Sequence, residues 1–216
     1  MSAVYTLEPF APSRSGNSEV ATTAYAVSAI DVSIGSGQGL QLVYRAKAYR
    51  AKAQAELVCP PRSIAPERRD GLWRHTCAEL FVRDPEGLGY LEFNFSPSGD
   101  WAAYAFDAPR QGQRPHQWSQ GPSAPASTSP PEIVSTWTMD SRDTFASVFE
   151  LRVALIWPAL ARGGSDRRPT LRPLGLSFVA ETSAGLEYWA LAHAAPQPDF
   201  HHPDGFVGQL EVPACM

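Results

Sequence analysis

Long apolar runs are missing from this chain: no stretch approaches the ~18 apolar residues that a membrane-spanning helix needs. The opening MSAVYTLEPFAPSRSGNSEV lacks the basic start and apolar core of a secretory signal. Cysteine is scarce. Cys59, Cys77 and Cys215 form an odd set with no CxxC pair, which argues against a disulfide framework and fits a reducing compartment. A cytoplasmic location is therefore expected. No basic run occurs and the net charge is −4, which argues against general nucleic-acid binding, since that needs clustered Lys and Arg to neutralise phosphates. HExxH, EF-hand, GxSxG and GxGxxG spacings are absent, so nothing marks a protease-type zinc site, a nucleophile elbow or a dinucleotide loop. No internal repeat is evident, and no apolar period of 3.6 residues runs long enough for a major helix.

Proline and glycine, by contrast, are plentiful, at 20 and 16 of 216 residues. They punctuate the chain as short strands joined by turns require. A length of 216 residues suits one domain of ~17 Å radius of gyration. Alternating or β-rich runs occur at 4–10, 24–34, 40–48, 73–82, 90–96, 101–107, 145–157, 174–181, 187–193 and 206–212. The Ala, Lys, Arg and Gln content of 45–56 also suits a short helix. GPSAPASTSPP is too polar to offset its ordering entropy, so 111–131 is expected to be a mobile loop within a single unit spanning 1–216. About ten short strands point to an all-β fold, an antiparallel β-sandwich.

The stretch 73–110 carries the chemistry. Residues two apart on a strand share a face. Trp73, His75, Cys77, Glu79 and Phe81 are expected on one side, with Arg74, Thr76, Ala78, Leu80 and Val82 on the other. In the next run Leu91, Phe93 and Phe95 oppose Glu92, Asn94 and Ser96. If the aliphatic sides are buried, Trp, His, Glu and Asn are displayed together, which suits a polar, ring-shaped ligand.

Glu79 then has two readings. It is a surface carboxylate, or one paired with Arg74 or Arg83, or else it accepts two sugar hydroxyls while an indole stacks on the apolar face of the ring. Trp101, Tyr104, Trp118, Trp137 and Trp189 are further candidate platforms, against a default of core packing; Trp157 reads as core. His75, Cys77 and Glu79 invite a metal, as do His193, His201 and His202. One strand seldom supplies three ligands, because its same-face neighbours stand ~7 Å apart. A calcium site built from loop oxygens has no sequence signature to locate it. Glu79 with Glu92 or Asp107 is a carboxylate pair of the kind glycoside hydrolysis uses, though such pairs are common in sheet proteins.

LWRHTCAELFV, YLEFNFSPSGDWAAYAFDAPRQG and EYWALAHAAPQPDFHHPDGF together resemble a group of bacterial DOMON-like proteins related to family-9 carbohydrate-binding modules. The likeness covers roughly residues 70–110 and 174–210. It implies a jelly-roll-like sandwich in which a sugar is held between two Trp rings, with acidic, amide and Arg groups on its hydroxyls. Trp73 and Glu79 match the first Trp and the acid that follows it. Trp189 takes the second Trp's place, and Asn94 and Arg110 those of hydroxyl partners. The sequence departs from the pattern at Ala-Pro-Arg-Gln-Gly-Gln, 108–113, where an aromatic before the Arg and a Met after the Gly are expected. Related domains hold haem through Met and His, but only Met1, Met139 and Met216 occur here, which disfavours haem.

The expectation is thus non-catalytic binding of a carbohydrate or sugar derivative, a small molecule or oligosaccharide, through Trp73, His75, Glu79, Asn94, Trp101, Arg110 and Trp189. No resident cofactor, nucleic acid or membrane partner is expected. The alternatives are a haem- or metal-binding DOMON domain, a glycan-acting enzyme using Glu79, and a domain whose aromatic face docks another protein.

Overall fold

The computed structural model describes residues 2–11, 27–36, 40–49, 56–85, 87–116, 131–139, 146–155 and 170–212. Its strands are β1 (Ser2–Pro9), β2 (Val27–Ser36), β3 (Leu40–Tyr49), β4 (Cys77–Arg83), β5 (Tyr90–Phe95) and β6 (Trp101–Phe106), followed by β7 (Arg114–Pro115), β8 (Glu132–Met139), β9 (Ala146–Leu155), β10 (Thr170–Thr182), β11 (Gly185–Ala190) and β12 (Gly208–Val212). Only two short 3₁₀ turns, Leu72–Arg74 and Pro203–Gly205, interrupt them among the described residues. No helix there is long and apolar enough to cross a membrane.

Every strand pairing is antiparallel. One sheet has the order β1-β2-β3-β9-β8, and the other runs β7-β6-β5-β4-β10-β11, with β12 also on β10. β1 joins the two. Its residues Ser2 to Leu7 pair with β2, and Glu8 and Pro9 then pair with Ala190 and Trp189 of β11. The sheets close on a common core as an antiparallel β-sandwich. Leu42, Tyr44, Phe149 and Leu151 come from one side, and Leu80, Phe93, Phe95 and Phe178 from the other, all 0 % exposed. Tyr44 crosses the core, and its hydroxyl donates to the Glu79 carbonyl at 2.7 Å. That bond satisfies the one polar atom its ring carries inward.

The second sheet is covered on both faces. Opposite the core, Phe81, Tyr90, Tyr104, Phe106 and Phe206 form a separate apolar cluster, with Phe200 packed against it. This is why β4 is buried along nearly its whole length. Residues 191–206 lie over that face and bring Phe200, His201 and Phe206 to it.

Several expectations need correction. β4 starts at Cys77, not Trp73. Gly71 adopts a left-handed conformation (φ 79°), and the chain coils through Leu72–Arg74 before it extends. Trp73 and His75 therefore lie outside the pleat that Cys77, Glu79 and Phe81 share. β8 was not anticipated. β10 begins four residues earlier than expected, and Pro173 sits where β10 pairs with β12 but not yet with β4, an edge setting that tolerates the missing donor. β3 stays extended through Tyr49, so a helix starting at 45 is excluded. Residues 50–55, most of the Pro/Ser-rich stretch with Trp118, and Trp157 lie outside the described residues.

Candidate functional site

The antiparallel register sets the floor of the site. Ser177, Glu79, Asn94 and Ala102 line up across β10, β4, β5 and β6, and Gly175, Phe81, Glu92 and Tyr104 form the neighbouring row. Both rows face away from the core, because the alternate residues Ala78, Leu80 and Phe93 fill it. Glu79 and Glu92 are 3 % and 5 % exposed. Glu79 Oε2 accepts from the Ser177 hydroxyl at 2.7 Å, and Glu92 Oε1 accepts from the Asn94 amide at 2.7 Å. Neither carboxylate has a full cationic partner. Burial, together with repulsion from Glu92, raises the pKa of Glu79; Ser177 and Arg110 offset only part of this. Burial likewise raises Glu92, against Asn94 and Arg110. Two buried carboxyls so close cannot both ionise freely, so the pair retains a proton near neutrality.

Arg110 forms one wall. It is a non-glycine residue with φ 57°, held in a turn where Gln111 N–H donates to the Ala108 carbonyl at 2.9 Å. Its own N–H donates to the Tyr90 hydroxyl at 3.2 Å, and its guanidinium pairs with Asp199 at 2.8 Å. Asp199 also accepts from the His201 N–H at 3.1 Å. These bonds clamp residues 199–201 over the sheet. The Tyr90 hydroxyl also hydrogen-bonds His201 Nδ1, 2.7 Å away. The other ring nitrogen, Nε2, faces Glu92 Oε2 at 3.9 Å. Burial and the nearby Arg110 cation push His201 down to about 4, consistent with a neutral ring.

These groups surround an open cavity of ≈ 400 Å³, lined also by Trp73, Phe106, Gln113, Val179, Tyr188 and Phe200. Trp73 is 47 % exposed and stands at the rim. The cavity offers a proton-holding carboxyl pair, an arginine, an imidazole and several rings as apolar surface.

The structure brings Trp73, Glu79 and Arg110 together at this cavity. Asn94, 0 % exposed, sits behind the floor and acts through Glu92. His75 turns outward and pairs with Glu181 at 2.8 Å. Trp101 and Trp189 point the other way: Trp189 is 2 % exposed within the core, and Trp101 packs against that core. Glu92 enters the site, whereas Asp107 pairs with Arg114 and does not line the cavity. Tyr188, Phe200 and Phe106 join the lining without having been anticipated as site residues, and His201, weighed only as a metal ligand, joins it beside them. Among the described residues, no three His, Cys, Asp or Glu side chains converge to hold a metal ion.

No family model matches the chain, and no curated protein does. Among solved structures it is similar to a protein of Bacteroides uniformis ATCC 8492 described as a "putative carbohydrate-binding protein". That similarity has a TM-score of 0.53 at 13 % identity and covers 97 % of this chain and 85 % of the other. It supports the all-β architecture over nearly the whole chain.

Proposed function

We propose that the protein binds a carbohydrate or a sugar derivative, without catalysis, in the cavity between Trp73 and the Glu79–Glu92 floor. One observation carries this reading: two buried carboxylates without full counter-charges face an open cavity with an indole at its rim. Unpaired buried acids are costly, and ligand hydroxyls donating to them would recover part of that cost. A cavity of ≈ 400 Å³ falls in the usual range of ~300–1,000 Å³ for small ligands. The role assigned to the Bacteroides protein and the resemblance to family-9 modules support the same ligand class. In this site, however, Tyr188 and Phe200 rather than Trp189 add rings to the lining that includes Trp73.

Titration calorimetry against neutral mono- and disaccharides tests the proposal. We expect binding by the wild type and at least about a tenfold loss for Trp73→Ala and for Glu79→Ala, each about 1.4 kcal/mol or more. Circular dichroism should show both variants folded. No binding across the panel, or full binding by Glu79→Ala, would overturn it. The proton-holding pair also favours a second reading, acid–base chemistry on a glycan. Turnover of a chromogenic glycoside that disappears in Glu79→Gln would promote it over the first.

A further inference from the structure

A second cavity of ≈ 390 Å³ adjoins the first and shares Trp73 and Gln113 with it as a common wall. Its chemistry is reversed. Arg68, Arg74 and Arg114 line it, with Asp70 as the single carboxylate.

The pairings leave positive charge in surplus. Asp70 is already engaged, since it accepts from the Tyr104 hydroxyl at 2.5 Å and from Arg68 at 2.8 Å. Arg114 pairs with Asp107 at 2.7 Å. Arg74 has no ion pair among the described residues; its guanidinium lies 5.0 Å from the centre of the Trp73 ring. Arg74 lines the second cavity and not the first, so this cation sits on the far side of the shared wall. Stacking uses the face of a guanidinium and leaves its in-plane N–H donors free for an acceptor. Arg68, 5.2 Å over the Tyr104 ring, adds a buried Nε with no hydrogen-bond partner.

We infer that the two cavities are subsites of one ligand. A polyhydroxylated ring lies over Glu79 and Glu92, and the next unit carries an anionic group, a carboxylate or a phosphoryl, to Arg74 and Arg68 across Trp73. The inference rests on the carbohydrate reading above and adds the charge of the ligand to it. A neutral second unit gives Arg74 only weak acceptors, whereas a carboxylate or phosphoryl oxygen pair matches the planar fork of an arginine. Repulsion from the Glu pair explains why the anion belongs on the far side of the indole.

The test compares three ligands by calorimetry at low salt: a neutral disaccharide, the same disaccharide with its second unit oxidised to a uronic acid, and a hexose phosphate. At least one acidic ligand should bind about tenfold or more tightly than the neutral one, and raising the salt should erode that advantage. The uronic acid and the phosphate distinguish a carboxylate from a phosphoryl source. Arg74→Gln should remove the advantage and leave neutral binding intact. Because Arg74 touches Trp73, Arg68→Gln serves as the second variant, since its contacts are Tyr104 and Asp70; it should lower acidic binding alone. Equal affinity for neutral and acidic ligands overturns the second subsite and leaves the carbohydrate reading standing. So does an unchanged acidic preference in both variants. Failure of every ligand to bind overturns both.

Discussion

Glutamine in place of Glu79 keeps the shape of the side chain and an oxygen for the Ser177 hydroxyl, but removes the charge that burial disfavours. The consequence is a change in how stability depends on pH. Folding raises Glu79 from 4.5 to about 8 and Glu92 from 4.5 to about 7. The folded state therefore holds more protons than the unfolded chain in this interval. The stabilisation is full below 4.5 and is lost as pH rises through the folded values. His201 acts with the opposite sign. Its value falls from 6.5 to about 4, so its contribution grows with pH and is complete about one unit above 6.5, with about 0.4 kcal/mol still to come at 6.5 itself. His116, also lowered by burial, behaves alike. Cys59, raised from 9.0 to about 12, and Cys77, also raised, take effect only at higher pH.

In the window from 6.5 to about pH 8.5 the carboxylates dominate, and the two histidines together offset under about 1 kcal/mol of their loss. Across it, at about 1.4 kcal/mol per tenfold change, Glu79 loses roughly 2 kcal/mol and Glu92 somewhat under 1 kcal/mol. The assay is urea unfolding at fixed ionic strength, repeated at several pH values. Wild type should lose roughly 2–3 kcal/mol across the window and Glu79→Gln less than about 1 kcal/mol. The variant should be the more stable protein at the alkaline end. Parallel profiles for the two proteins, or a flat wild-type profile, would refute the buried proton-holding pair.

Trp189→Phe should cost roughly 1–2 kcal/mol of stability, less than the ~3–5 kcal/mol of truncation to alanine, and leave sugar affinity unchanged, because the ring lies in the core; calorimetry and urea unfolding read the two effects separately. Asp199→Asn removes the partner of Arg110, an exposed pair worth at most about 1 kcal/mol of stability, but it releases a cavity wall. Hydrogen exchange at 199–201 should quicken, and affinity should fall severalfold with little change in melting temperature.

The fold was legible where one strand face is wholly apolar. Leu40, Leu42, Tyr44, Ala46 and Ala48 are buried along β3, and Leu174, Leu176, Phe178 and Ala180 along β10, as period-two alternation requires. It was illegible in β8, which among the described residues pairs with β9 alone. There Thr136, Trp137 and Thr138 are all exposed, and the run EIVSTWTM carries little alternation to read. The entry to β4 failed for a different reason. Gly71 permits a positive φ, and the turn it starts shifts Trp73 and His75 out of the pleat. Alternation read backwards past a glycine does not survive such a turn.

The site shows how far face assignment depends on register. Glu79, Glu92 and Asn94 were placed on one side because their aliphatic neighbours had to be buried, and hydrogen-bonded pairing puts them there. Trp189, which the resemblance put in the second Trp's place, lies in the core, and its neighbour Tyr188 lines the cavity; one residue is enough to move a side chain to the opposite face. The information to avoid this was present in ETSAGLEYWA. A two-residue turn at Ser183 and Ala184, with Gly185 at φ 128° accepting the return, pairs Thr182 with Gly185. Counting outward from that pair sets Phe178 against Trp189 and Val179 against Tyr188. Phe178 belongs to the apolar face, so Trp189 must share the core and Tyr188 must share the cavity. The resemblance assigned Trp189 by its place near the end of the chain; the register that the Gly185 turn sets decides instead which ring faces the cavity.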